Sequence, residues 1–198
     1  KQGTNQGIIE NVQGFYGWDS VTLRNAFTRV DLVPELGGKI IGYEATGFQM
    51  LWHNTFAEGK IDIFQKNDKG QEFLNPGGAK VWPAPQDKWQ GPPDKILDGS
   101  PYSQVIDGDT ITVTSPKDDA EGRTGIQFVN KYTLVPTSTV MNLNLSMNNI
   151  VNRNIEWAIS NIFSAPASGN FTIYVPVGKN QWDLISGDKD TLQWAGVK

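Results

Sequence analysis

The chain has no cysteine and a single histidine in 198 residues. The first absence excludes disulfides, thiol nucleophiles and cysteine-ligated metals, and the second excludes a multi-histidine metal site. No apolar run approaches the ~20 residues of a membrane-spanning helix. Basic excess is missing as well, with 21 acidic against 17 basic residues and a net charge of −4. Scattered lysines form no stripe to neutralise phosphates, so we expect no nucleic-acid partner and no membrane span. There is no repeat, low-complexity tract, charge block or linker, and residues 1–198 read as one globular domain without a cofactor.

Helix periodicity is also lacking, and period two takes its place. Met141, Leu143, Leu145 and Met147 alternate with Asn142, Asn144, Ser146 and Asn148, which puts one face on a core and the other in water. Ile111 and Val113 alternate with threonines, and Ile126, Phe128, Tyr132 and Leu134 share a parity that Asn130 interrupts. Residues 21–54 read as successive short strands turning at 34–38 and at Thr46 and Gly47. Further strands are expected over 154–164 and 171–177, around a turn at 166–170. Many short strands joined by Gly, Pro and Asn turns predict an all-β antiparallel two-sheet sandwich.

Against that pattern, 77–102 (GGAKVWPAPQDKWQGPPDKILDGSPY) reads as a long loop, and long loops in small domains are often functional. Each proline fixes its own φ and biases the residue before it toward extended backbone, so the segment orders at low entropic cost. Trp82, Trp89 and Tyr102 offer flat apolar faces edged with donors, while Lys80, Gln86, Asp87, Asp94 and Asp98 offer directional polar contacts. That mixture suits a sugar or oligosaccharide.

Together, ELGGKIIGYEATGFQMLWHN and GGAKVWPAPQDKWQGPPDKILDGSPY resemble the DUF4380 group of the galactose mutarotase-like (aldose epimerase-like) proteins over about residues 21–165. The resemblance implies an antiparallel β supersandwich with a carbohydrate cleft on a concave sheet face. Mutarotases open and close a sugar ring with a histidine acid and a glutamate base, the histidine lying on a strand that reads His-x-Tyr-Phe-Asn. The similar stretch here is Ser160, Asn161, Ile162, Phe163, Ser164, which puts Asn161 or a neighbour near the acid's place. An amide has no titrating proton to give. Family members are longer, and the glutamate would fall beyond Lys198, so the resemblance implies an N-terminal portion of a longer chain. Sheet edges left open by such a truncation would need a partner copy or a swapped segment. The polar start KQGTNQG, without an initiating Met, fits a processed, exported protein of the periplasm or extracellular space.

Within that frame the expected ligand-binding residues are Lys80, Trp82, Gln86, Trp89, Asp98, Tyr102 and Asn161. Each also has a plain alternative. Trp82 and Trp89 could simply pack, Lys80 could be an ordinary surface lysine, and Asp94 and Asp98 could initiate turns. Asn161 continues the parity of Ile155, Trp157 and Ile159, so its amide must find partners or line a wet cleft. His53 is the one imidazole and, with Asp98, a candidate acid or base; a hydrogen-bonded packing role competes. Asp118, Asp119 and Glu121 read as a solvated hairpin tip. Three functions stay open: carbohydrate binding without a complete epimerase pair, a structural or protein-interaction module plugged by the Trp-rich segment, and a hydrolase, lyase or epimerase using loop carboxylates.

Overall fold

Doublets of apolar residues set the architecture. Leu32 and Val33, and Ile40 and Ile41, sit in strands whose side chains alternate between faces, so both members of each doublet are buried only if both sheet faces are covered. The protein, a computed structural model, is described over residues 7–66, 70, 72–89 and 93–166. The chain divides into units Lys1–Pro166 and Ala167–Lys198. All described residues belong to the first, and the strand expected at 171–177 lies outside them.

Eleven strands are present among the described residues: β1 (Ile8–Phe15), β2 (Trp18–Arg24), β3 (Thr28–Val33), β4 (Lys39–Ala45), β5 (Phe48–Gln49), β6 (Ala79–Ala84), β7 (Ser103–Asp107), β8 (Thr110–Thr114), β9 (Ile126–Leu134), β10 (Met141–Asn149) and β11 (Ala158–Phe163). They form two antiparallel sheets. The larger runs β1-β2-β3-β4-β6-β11 with β5 hairpinned onto β4, and the smaller runs β10-β9-β8-β7. The chain is an all-β two-sheet sandwich, as the alternating sequence predicts.

The inter-sheet core joins Val21, Leu23, Val30, Leu32, Ile40, Ala79 and Val81 of the large sheet to Ile111, Val113, Ile126, Phe128, Tyr132 and Leu134 of the small one. At ~25 cal/mol per Å² of apolar surface, each fully buried Leu, Ile or Phe here contributes about 1.5–3 kcal/mol. Asn130 keeps the buried parity of β9. A second core lies on the far face of the large sheet, where Trp18, Val33, Leu36 and Ile41 meet Ala57 and Ile63, with Phe15, Phe64, Phe73 and Leu74 packed around them. The connection between β5 and β6 supplies that cover.

Two expectations change. The 77–102 segment is no structureless loop: its first part is β6, an interior strand of the large sheet, followed by short helical turns at Gln86–Trp89 and Lys95–Gly99. Asp118 is no solvated tip residue either. Its carboxylate is buried, accepting from Arg123 Nε at 2.6 Å, from Thr124 N at 3.0 Å and from Thr124 Oγ1.

Candidate functional site

Strand parity places Ala79 and Val81 in the inter-sheet core and turns Lys80 and Trp82 to the far face of the large sheet. By the same alternation Lys39 shares the face of Ile41 rather than that of Ile40. Two lysines therefore project into the covered side of a sheet, where an unpaired charge is costly. The turn at Lys95–Gly99 brings Asp98 to meet them.

Gly37 makes that approach feasible. It adopts φ 65°, and a Cβ there would sit 2.1 Å from Asp98 O, so a side chain would push the turn away. The turn is held from both sides. Asp94 caps it by accepting from Ile96 N at 2.8 Å and Leu97 N at 2.9 Å, and is itself clamped by Arg123 Nη2 at 2.7 and 2.8 Å. Tyr102 N donates to Pro34 O at 2.9 Å, and the Tyr102 hydroxyl donates to Leu97 O at 2.6 Å.

At the centre, Lys39 (0% exposed) and Asp98 (1%) form a fully buried ion pair, Nζ to Oδ1 at 2.9 Å. Lys39 also donates to the main-chain oxygens of Leu36, at 3.2 Å, and of Asp98, which accounts for its three protons. Trp82 Nε1 donates to the same Asp98 Oδ1 at 2.5 Å. Asp98 Oδ2 is buried and has no hydrogen-bond partner among the described residues. Lys80, 5% exposed, donates to Asn75 Oδ1 at 2.7 Å and lies 4.4 Å from the centroid of the Trp82 ring and 5.5 Å from that of Phe73. Burial pulls the Lys39 ammonium below the usual lysine range, opposed by Asp98. Burial also pulls Lys80 down to about 8, with Asp98 opposing the shift and the charge of Lys39 adding to it.

The cluster thus unites three of the expected site residues, Lys80, Trp82 and Asp98. Chemically it holds a carboxylate and two ammonium groups out of water behind a half-buried indole, which is the member with surface to offer. The other expected residues lie elsewhere. Tyr102 is 5% exposed and belongs to the inter-sheet core, so it presents no face to a ligand; burial raises its hydroxyl well above the ordinary tyrosine range. Asn161 pairs with Val81 and Ser160 with Trp82, so Asn161 points to the face opposite Trp82, where its side chain is exposed. Gln86 is exposed on its turn, and the side chain of Trp89 lies outside what is described.

His53 is half-buried and stands apart from the cluster. Its Nε2 is 2.8 Å from Glu58 Oε1, and its ring lies 4.1 Å from the Tyr16 ring. The three aspartates of the segment do not face one another as a catalytic pair: Asp87 is exposed, Asp94 binds Arg123 and Asp98 binds Lys39. Lys39, Asn75 and Phe73 are the members that the sequence reading missed. A charge inside the apolar run LGGKIIGY was the signal available for Lys39.

Two grooves on the described surface lie away from this cluster. One, of about 650 Å³, runs over the outer face of the small sheet between Asp107, Asp109, Lys131, Asn142 and Asn144. Another, of about 230 Å³, lies beside β1 and β2, near Gln13, Asp19 and Glu35. Among the described residues, no group of three or more acidic or histidine side chains could hold a metal ion. No described helix is long and apolar enough to cross a membrane.

No protein-family profile and no curated protein matches the chain. Among solved structures it is similar to a TPR-domain containing protein from Parabacteroides distasonis (18% identity, TM-score 0.43, covering 66% of this chain and 21% of that one). It is also similar to a 4-alpha-glucanotransferase from Thermococcus litoralis (12% identity, TM-score 0.40, 66% and 23%). The chain spans less than a quarter of either protein, and likenesses of this strength assign no activity.

Proposed function

We propose that the chain is a carbohydrate-binding protein of mutarotase-like fold, binding without epimerising. Its ligand-recognising wall is the β6 face that carries Lys80 and Trp82, beside Asp98. The observation that supports this most is Trp82, half-buried on β6, with Lys80 Nζ 4.4 Å from its ring centroid and its Nε1 donating to Asp98 Oδ1 at 2.5 Å. Sugar C–H surface packs on the accessible part of such an indole. Binding alone is favoured because Asn161 has no titrating proton and faces away from Trp82.

A structural or protein-interaction role is the second reading, favoured by the inward packing of Tyr102 and by the complete satisfaction of Lys39 inside the cluster. Calorimetry against a panel of mono- and oligosaccharides, run beside a ring-opening assay by polarimetry, separates the two. Saturable heat with no change in mutarotation rate is expected. A flat response across the panel refutes the sugar reading and leaves the structural one.

A further inference from the structure

The small sheet ends on β7 at one side and on β10 at the other, and the two edges are built differently. An exposed edge strand invites pairing with another chain, and proteins guard against it with short strands, charges, prolines or bulges. β7 has five residues and closes on Asp107, with Asp109 in the turn that follows. β10 has none of these guards. It runs nine residues, Met141–Asn149, without a charge or a proline, and its register against β9 is unbroken from Met141 opposite Leu134 to Asn149 opposite Ile126. Among the described residues it pairs on that one side only. Met141, Leu143, Leu145 and Met147 pack against the inter-sheet core yet stay half-buried, and no described strand flanks them on the open side.

We propose that this edge is a homodimer interface, in which β10 pairs antiparallel with β10 of a second copy about a twofold axis at Asn144. The occupant follows from the strand's own pattern. In a twofold antiparallel pair the residue on the axis faces its own copy, and residues equally far from it on either side face each other. With Asn144 on the axis, Leu143 meets the partner's Leu145 and Met141 meets the partner's Met147, while Asn142 meets the partner's Ser146 on the outer face. Every apolar side chain then faces an apolar one, and every polar side chain a polar one. An axis at Leu145 would set Met141 against an asparagine, and an axis at Leu143 would set Met147 against Thr139, outside the strand. The Asn144 register also stops short of Asn149, whose side chain donates to Arg153 O at 3.0 Å where the chain leaves the strand. Such a pair forms about six to eight main-chain hydrogen bonds and sets no charge against its like. It uses up both β10 edges, so assembly closes at two copies.

The dimer is independent of sugar binding and is tested without a ligand. Sedimentation equilibrium of the whole chain from ~1 to ~300 µM brackets the dissociation constant of a modest interface. The average mass should rise across that range from 21.9 kDa toward twice that value. Hydrogen exchange read by mass spectrometry at the two ends of the range should show peptides spanning 141–147 gaining protection while β7 peptides stay unchanged. Asn144→Asp and Asn144→Lys each set like charges face to face on the axis and should weaken the dimer by about tenfold or more. An equimolar mixture of the two should restore it as a mixed pair. Asn144 is exposed on the outer face, so both variants should keep the wild-type circular dichroism. If either fails to fold, the wild-type mass and exchange data decide alone. A single chain at every concentration overturns the proposal, whether the edge is then covered within the chain or open to water. So does a dimer whose 141–147 amides exchange at the monomer's rate, or one that both Asn144 variants leave as tight as before.

Discussion

Asp98→Asn is the perturbation that bears most directly on the cluster. The substitution keeps shape and one acceptor oxygen but deletes the charge that Lys39 Nζ meets at 2.9 Å with both side chains out of water. At an effective dielectric of ~20 the lost attraction is about 6 kcal/mol. Lys39 recovers part of this by releasing its proton, to which burial already inclines it. The net loss should fall near 3–5 kcal/mol, the range for stranding one member of a buried pair. Against a total stability of ~5–15 kcal/mol that is a large share. Urea unfolding at pH 7, followed by tryptophan fluorescence and by circular dichroism, measures it. Because the pair is shielded from solvent, the loss should be nearly the same at ~0.05 and ~0.5 M salt. Lys39→Met combined with Asp98→Leu removes both charges and the unpartnered Oδ2 together, and should cost less than Asp98→Asn alone. A coincident two-state transition showing under ~1 kcal/mol for Asp98→Asn, or a double variant worse than the single one, would refute the account of the cluster.

Lys80 gives a pH signature. Its folded value near 8 lies below its unfolded value, so between those values the unfolded chain binds more protons, and stability should rise by about 2 kcal/mol from pH 8 to 10. Lys80→Met should remove that rise in urea midpoints, read below pH 10 because the raised Tyr102 and Tyr132 hydroxyls pull the other way above it. Trp82→Phe keeps a ring on the wall but removes the donor to Asp98 Oδ1. It should cost about 1–3 kcal/mol of stability while retaining measurable sugar binding, and calorimetry showing complete loss of binding in a folded variant would contradict the stacking role.

How much of the fold was legible depends on how many faces each strand buries. The small sheet has one buried face, so β8 and β9 alternate cleanly, β10 does so from Met141 to Leu145, and even Asn130 keeps its place in the buried row. In the large sheet both faces are covered, and doublets such as Ile40 and Ile41 blur the period. β6 was hidden for a different reason. Pro83 and Pro85 mark the segment as a loop, yet Pro83 lies within β6, opposite Ile159 of β11.

The site was half legible on the same logic. Lys80 and Trp82 share a face whenever 80–82 is extended, whether loop or strand, so two-residue spacing was enough to place them together. What spacing cannot reveal is which side of the strand meets water. Pro-rich composition pointed to a solvent-filled hollow, whereas Phe73 from the β5–β6 connection and Asp98 from the Lys95–Gly99 turn close over that face. Lys39 and Asp98 are 59 residues apart, and neither carries a local mark of the other. The one clue was a lysine in a strand otherwise fit for burial on both faces. A charge that the hydrophobic pattern cannot place in water must find a counter-charge, and the only question the sequence leaves is which carboxylate the chain folds back to supply. Here the answer rests on Gly37, where the missing Cβ lets the Asp98 main chain come within bonding reach of Lys39.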